Sequence, residues 1–132
     1  MKTIGTYALE VTTRRGFEDA IQRVTELLAE QGFGVLTEID VQATLKKKLD
    51  LDTKPYRILG ACNPGFAHQA LEVEPHIGVM LPCNVLVWDE GDHRVVAAME
   101  PRMMADIVDS PALRANAEQV SARIRTVLDR LG

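Results

Sequence analysis

Two stretches of this chain repeat apolar residues at three- and four-residue spacing, which places them on one face of a helix. The first carries Phe17, Ala20, Ile21, Val24, Leu27 and Leu28; the second carries Leu113, Ala117, Val120, Ile124, Val127, Leu128 and Leu131. Gly32 suits a stop for the first, because glycine accepts the left-handed conformation that follows a final turn. Ser110-Pro111 opens the second with a cap and a first-turn proline. Elsewhere the pattern is that of strands. Thr3 to Val11 partly alternates and reads as one strand. Val35, Ile39 and Val41 mark another, and Tyr56 to Cys62 a third. Asn63-Pro64 then supplies a cap and a helix-starting proline, so a helix burying Phe66, Ala67, Ala70 and Leu71 begins there.

The longest apolar run, Ile77 to Trp88, is interrupted by Pro82. Proline cannot donate a ladder hydrogen bond, so a bulge, an edge or a break is expected at that point. Glu90-Gly91-Asp92 is a turn signal, and Val95 to Met99 returns as the second arm of a hairpin. Gln42 to Leu51 reads as a short helix over the core, and Met103, Met104, Ile107 and Val108 as a helical connector after Pro101. The order predicts an α+β fold in one domain, residues 1–132. It has two layers, a mainly antiparallel sheet with helices packed on one face.

Composition changes this picture in three ways. A chain of 132 residues buries roughly two-thirds of its unfolded surface, so a core forms without disulfides or a structural metal. A net charge of −4 argues against general affinity for nucleic acid or an anionic membrane surface. The run Lys46-Lys47-Lys48 does not reverse that, since Asp50 and Asp52 follow it and a solvated helix face explains it. The first residues lack the apolar stretch of a secretory signal, and no apolar run approaches the ~18 residues of a membrane span. The expected location is therefore the cytoplasm, where two cysteines remain reduced thiols.

Those two cysteines form the most specific chemical pattern. Each precedes an asparagine and stands beside a proline: Ala61-Cys62-Asn63-Pro64 and Leu81-Pro82-Cys83-Asn84. Both lie where a strand-like run is interrupted, which points to a shared site at strand ends. Cys62 has the stronger case for reactivity, because a helix start at Asn63-Pro64 stabilises a nearby thiolate. Cys83 would resolve it, and His68, one turn into that helix, could reach back as a base. The competing explanation treats both thiols as small buried residues and His68 as a solvent-facing side chain. Asn63 is explained by capping, whereas Asn84 has no local structural role. Cys62, Cys83 and His68 are suitable ligand types for zinc or copper(I), without the close Cys-x-x-Cys spacing of a strong metal site. Neither a metal nor a cofactor is specified. There is no phosphate-binding glycine loop, nucleophile elbow or His-Glu-x-x-His motif.

The run Ile58-Leu59-Gly60-Ala61-Cys62-Asn63-Pro64, with Gly78-Val79-Met80-Leu81-Pro82-Cys83-Asn84-Val85 downstream, resembles the DUF302 family. So do the segment Gly32 to Val41 and the closing Ser110-Pro111 helix. The likeness extends over nearly the whole chain. It implies a compact α/β domain that dimerises, in bacteria or archaea, and it implies no activity.

Three functional readings follow. The leading one is a small binding protein whose pocket, formed by Cys62, Asn63, Cys83 and Asn84, takes a small-molecule ligand, a soft metal or an oxidant. The second is a thiol-dependent enzyme or redox protein using Cys62 with Cys83, assisted by His68. The third is a structural dimer module with inert cysteines. A homodimer is also expected from the apolar pattern, because Val79 to Trp88 is apolar on both alternating sets and helices on one face leave the other set unpartnered.

Overall fold

The structure is a computed structural model, and it describes residues 1–131. Six strands form one antiparallel sheet: β1 (Lys2–Ile4), β2 (Ala8–Thr13), β3 (Gly34–Asp40), β4 (Tyr56–Cys62), β5 (Cys83–Asp89) and β6 (Arg94–Met99). Their order across the sheet is β1-β2-β6-β5-β4-β3. The helices are α1 (Phe17–Glu30), α2 (Val41–Leu49), α3 (Pro64–Val73), α4 (Arg102–Val108) and α5 (Pro111–Arg130), with a 3₁₀ helix over Pro75–Met80. This is the α+β fold that the apolar periods predict.

Strand register decides which residues form the core. Leu9, Ala98, Val85 and Leu59 are consecutive cross-strand partners, as are Val11, Val96, Val87 and Arg57. Partners share a face. The face holding Leu9, Leu59, Val85, Val87 and Val96 packs against Val24, Leu27 and Leu28 of α1 and Val120, Ile124, Val127 and Leu128 of α5. Both long helices therefore cover one face. The opposite face carries Ile39, Ile58, Leu86 and Ala97 in one row and Tyr56, Trp88 and Val95 in the next. Tyr56 and Trp88 stack there with ring centroids 5.6 Å apart. Helix α2 makes its main sheet contact with β4 but buries none of its residues, so the helix forms where its spacing predicts without packing over the core.

Two elements differ from the sequence reading. Thr3 to Val11 is two strands, because Gly5 takes φ +52° and reverses the chain before Ala8. The apolar run from Ile77 begins as the 3₁₀ helix rather than as a strand. Its signal is Glu74-Pro75: the Glu74 carboxylate accepts from the His76 N–H at 2.9 Å and Pro75 occupies the first turn. The Leu81-Pro82 bond is cis, and β5 starts at Cys83.

One arginine joins the β3 edge to the helical layer. Arg57 pairs with Glu38 of β3 at 2.6 Å and with Glu18 of α1 at 2.9 Å, and its guanidinium lies 5.4 Å from the Phe17 ring centre. Burial disfavours its charge, but the two carboxylate hydrogen bonds prevail and its pKa is raised.

Candidate functional site at the strand ends

Because β4 and β5 are antiparallel, the end of one lies beside the start of the other. Cys62 is the last residue of β4 and Cys83 the first of β5. Asn63 then caps α3: its Oδ1 accepts from the Phe66 N–H at 3.4 Å, and its Nδ2 donates to the Gln31 carbonyl at 3.4 Å. Gln31 also accepts from Arg123 Nη1 at 3.1 Å, and the Arg123 guanidinium sits 5.2 Å from the centre of the Phe66 ring. The C-terminal end of α1, the start of α3 and the side of α5 thus converge at one corner. Gly32 is needed in this corner. It has φ +84°, and a Cβ there would lie 2.9 Å from Asn63 Nδ2.

A cavity of about 30 Å³ lies inside this corner, bordered by Cys62, Asn63, Cys83, Phe66, Met104 and Asn116 among others. That volume admits a water or a guest of a few atoms; a metabolite-sized site is about tenfold larger. Its walls are mainly apolar. The Asn116 amide reaches it from α5 while donating to the Phe66 carbonyl at 3.0 Å and to Gln69 Oε1 at 3.2 Å. Asn116 is 8% exposed. Its sequence signal was a polar residue inside the apolar stripe between Leu113 and Val120.

The two thiols differ. Cys83 is buried and Cys62 half-buried, and both are free. Burial, with a smaller contribution from charge on Cys62, pushes the Cys83 pKa up to about 11, so Cys83 is a neutral thiol at physiological pH. Register also separates their directions. Ala61 is the partner of Cys83, so Cys62 stands one position beyond, and strand alternation turns it towards the other face. The cysteines border one cavity without forming a facing pair.

The remaining candidates lie elsewhere. Asn84 is exposed on the open sheet face opposite Gly60. His68 is 75% exposed, with Nε2 3.8 Å from Glu72 of the same helix. It faces a groove between α3 and α5 and does not border the cavity. The spacing that put His68 one turn from Cys62 was correct, but the helix turns that position to solvent. Among the described residues no three His, Cys, Asp or Glu side chains assemble as metal ligands. The Cys62, Cys83 and His68 ligand set is therefore not brought together. Among them also, no helix is long and apolar enough to cross a membrane.

This combination of an all-antiparallel sheet, two long helices on one face and a helix-capping Cys-Asn-Pro at a strand end defines a two-layer α+β domain. Residues 9–131 match the family described as domain of unknown function DUF302, and the chain belongs to that family. Among solved structures it is similar to an uncharacterised conserved DUF302 protein from Bacillus stearothermophilus, with 31% sequence identity and a TM-score of 0.89, covering 97% of this chain and all of that one. No curated protein matches.

Proposed function

We propose that this domain is a small-guest binding protein whose site is the strand-end cavity holding Cys83. The observation that carries this reading is the cavity's lining: a buried neutral thiol, two amides and apolar walls around about 30 Å³. Such a lining favours an uncharged or soft species of a few atoms, since a hard ion would lose its hydration with too few oxygen ligands to replace it. The test is alkylation of each thiol followed by mass spectrometry, with and without copper(I) or hydrogen peroxide at stoichiometric levels. Expected is selective protection or modification of Cys83 that Cys62→Ser leaves in place. A Cys83 whose alkylation rate neither agent changes defeats the reading.

The thiol-redox reading retains one supporting observation: Cys62 is half-buried and immediately precedes the capped start of α3. In that reading the Cys62 thiolate attacks one peroxide oxygen and the O–O bond breaks. Sulfur is oxidised to a sulfenic acid, and the other oxygen leaves as water after protonation. A dimedone adduct confined to Cys62 supports it. Adducts on neither cysteine leave the thiols without redox function.

For assembly, we propose a homodimer paired through the open sheet face. The support is the half-buried Ile58, Leu86, Tyr56 and Trp88, which none of the long helices covers. Closed two-fold pairing is the commonest way to cover such a face. Light scattering at micromolar concentration should give twice the chain mass, and Leu86→Asp should give the single mass. A monomeric wild-type chain overturns the proposal.

A further inference from the structure

A second concavity lies apart from the cysteine cavity and shares no lining residue with it. It is about 340 Å³ and opens between the β1–β2 turn, the end of β6, α4 and α5. That is the size of a small-metabolite site. On α5, Arg114, Glu118, Ser121 and Arg125 follow one another at four, three and four residues, so they form one helical stripe.

The floor of this cleft is a buried carboxylate. Glu100 is 5% exposed, and its two oxygens lie 2.9 and 3.1 Å from the Ser121 hydroxyl that donates to them. Arg102 pairs with it closely, and Arg125 Nη2 stands 3.5 Å away. Arg114 Nη2 holds Asp106 at 2.7 Å. These contacts fix three guanidinium groups around the cleft while using only part of the five N–H donors that each carries.

One pairing in the cleft is incomplete. Arg102 Nη1 and the Glu118 carboxylate are 3.9 Å apart, beyond hydrogen-bond range. The Glu118 carboxylate has no hydrogen-bond partner among the described residues, and Thr3 and Thr6 stand on the rim of the same cleft. An anion here would gain Arg102 and Arg114 but meet the charges of Glu118 and Asp106. A cation would meet the reverse. A ligand carrying both charges on neighbouring atoms satisfies the two sides together.

We propose that this cleft binds a free α-amino acid through its zwitterionic head group. The ligand carboxylate lies against the guanidinium groups of Arg102 and Arg114, the ammonium against Glu118, and Thr3 and Thr6 supply hydroxyl contacts. Met103 gives the ligand side chain an apolar wall. Glu100 and Ser121 do not touch the ligand; they hold Arg102 and Arg125 in place.

The test is an amide NMR titration of the full chain with glycine, alanine and methionine, in parallel with acetate and methylamine as single-charge probes. Saturable shifts are expected around Thr3, Thr6, Met103 and Arg114 with each amino acid, and either single-charge probe should bind at least about tenfold more weakly. Glu118→Gln should weaken the amino acids about tenfold without weakening acetate, whereas Arg114→Gln should weaken both. Both side chains are about half exposed, and a thermal melt checks that each variant folds. Should a variant fail to fold, the comparison of probes on the unmodified chain decides alone. No saturable shift with any amino acid up to ~10 mM, a level that still detects very weak binding, overturns the proposal. So does acetate binding as tightly as glycine, which would make the cleft a bare anion site.

Discussion

The molecule has two apolar clusters built to different standards. The larger fills the space between the sheet and helices α1 and α5 with Leu9, Val24, Leu27, Leu28, Leu59, Val85, Val87, Val96, Ile124 and Leu128, each at most 2% exposed. The smaller sits at the strand ends and consists of Ala70, Ile77, Cys83, Met104 and Leu113, with Met80, Leu81, Met99 and Val108 against it. The first is made of branched aliphatic residues with few rotamers. The second is rich in methionine and sulfur, which fill irregular space adaptably. The cavity lies where the two meet, bordered by Phe33, Ala61 and Val120 of the first and by Ala70, Cys83 and Met104 of the second. Rigid packing thus holds the fold and one wall of the candidate site, while softer packing closes the other wall.

The comparison breaks most readily in the larger cluster. Leu128→Ala removes a side chain that is 2% exposed on α5 and should destabilise the protein by about 2–5 kcal/mol. Met104→Ala in the smaller cluster should cost less than that, because its neighbours can close around the space. Denaturant unfolding of both variants checks the order. Equal losses would show that the strand-end cluster is as tightly specified as the main core.

Next in size is the seam between sheet and strand-end turn. A Cβ at Gly60 would collide with the Thr37 hydroxyl on β3 and lie 2.8 Å from Pro82 Cγ. The Thr37 side chain is exposed and can rotate, but Pro82 is fixed by its ring. Gly60→Ala should therefore cost about 1–3 kcal/mol through overpacking, and adding Thr37→Ala should recover only part of it. Full recovery would show that Pro82 yields.

How far the sequence reveals these regions follows from the range of the interactions involved. Strand β4 and the start of α3 were legible because alternation, Asn63 and Pro64 are local signals. The turn at Gly5 and the 3₁₀ helix at Pro75 are local too, but they lie inside apolar runs that periodicity alone reads as strand. The directions of Cys62 and Cys83 were not legible. Both stand at strand ends as expected, yet whether they face each other depends on a one-residue register between β4 and β5, and repeated Cys-Asn motifs carry no register. His68 failed similarly: its distance along the helix was clear, while its side of the helix depended on how α3 docks against α5.

The thiol in the smaller cluster should also be visible in the pH dependence of stability. Cys83 rises from an ordinary 9.0 to about 11 in the folded protein. Between those values the unfolded chain releases the proton and the folded chain keeps it. Unfolding is then favoured as pH rises, by up to about 2–3 kcal/mol across the window. Stability should be unaffected by this group below pH about 9 and should decline through pH about 11. Cys83→Ala should remove this part of the alkaline decline, and unfolding midpoints at pH 8 and pH 10.5 for both proteins would read it out. An unchanged slope in the variant would mean that Cys83 ionises as easily folded as unfolded.

The smallest expected effect separates capping from site chemistry at the corner where the two clusters meet. Asn63 holds the first turn of α3 through Oδ1 and the end of α1 through Nδ2. Asn63→Ala removes both and should cost about 1 kcal/mol, typical of a lost cap. Asn63→Asp keeps the acceptor for the Phe66 N–H and adds a negative charge that a helix start tolerates, but it loses the Nδ2 donor to the Gln31 carbonyl, so it too should cost about 1 kcal/mol. That same charge stands next to Cys62 and opposes formation of its thiolate. Alkylation of Cys62 at neutral pH should therefore slow in Asn63→Asp, while Asn63→Ala loses comparable stability with a smaller change in thiol reactivity. If both substitutions slow Cys62 equally, the effect comes from the helix start as a whole, and Asn63 matters at this corner as a cap alone.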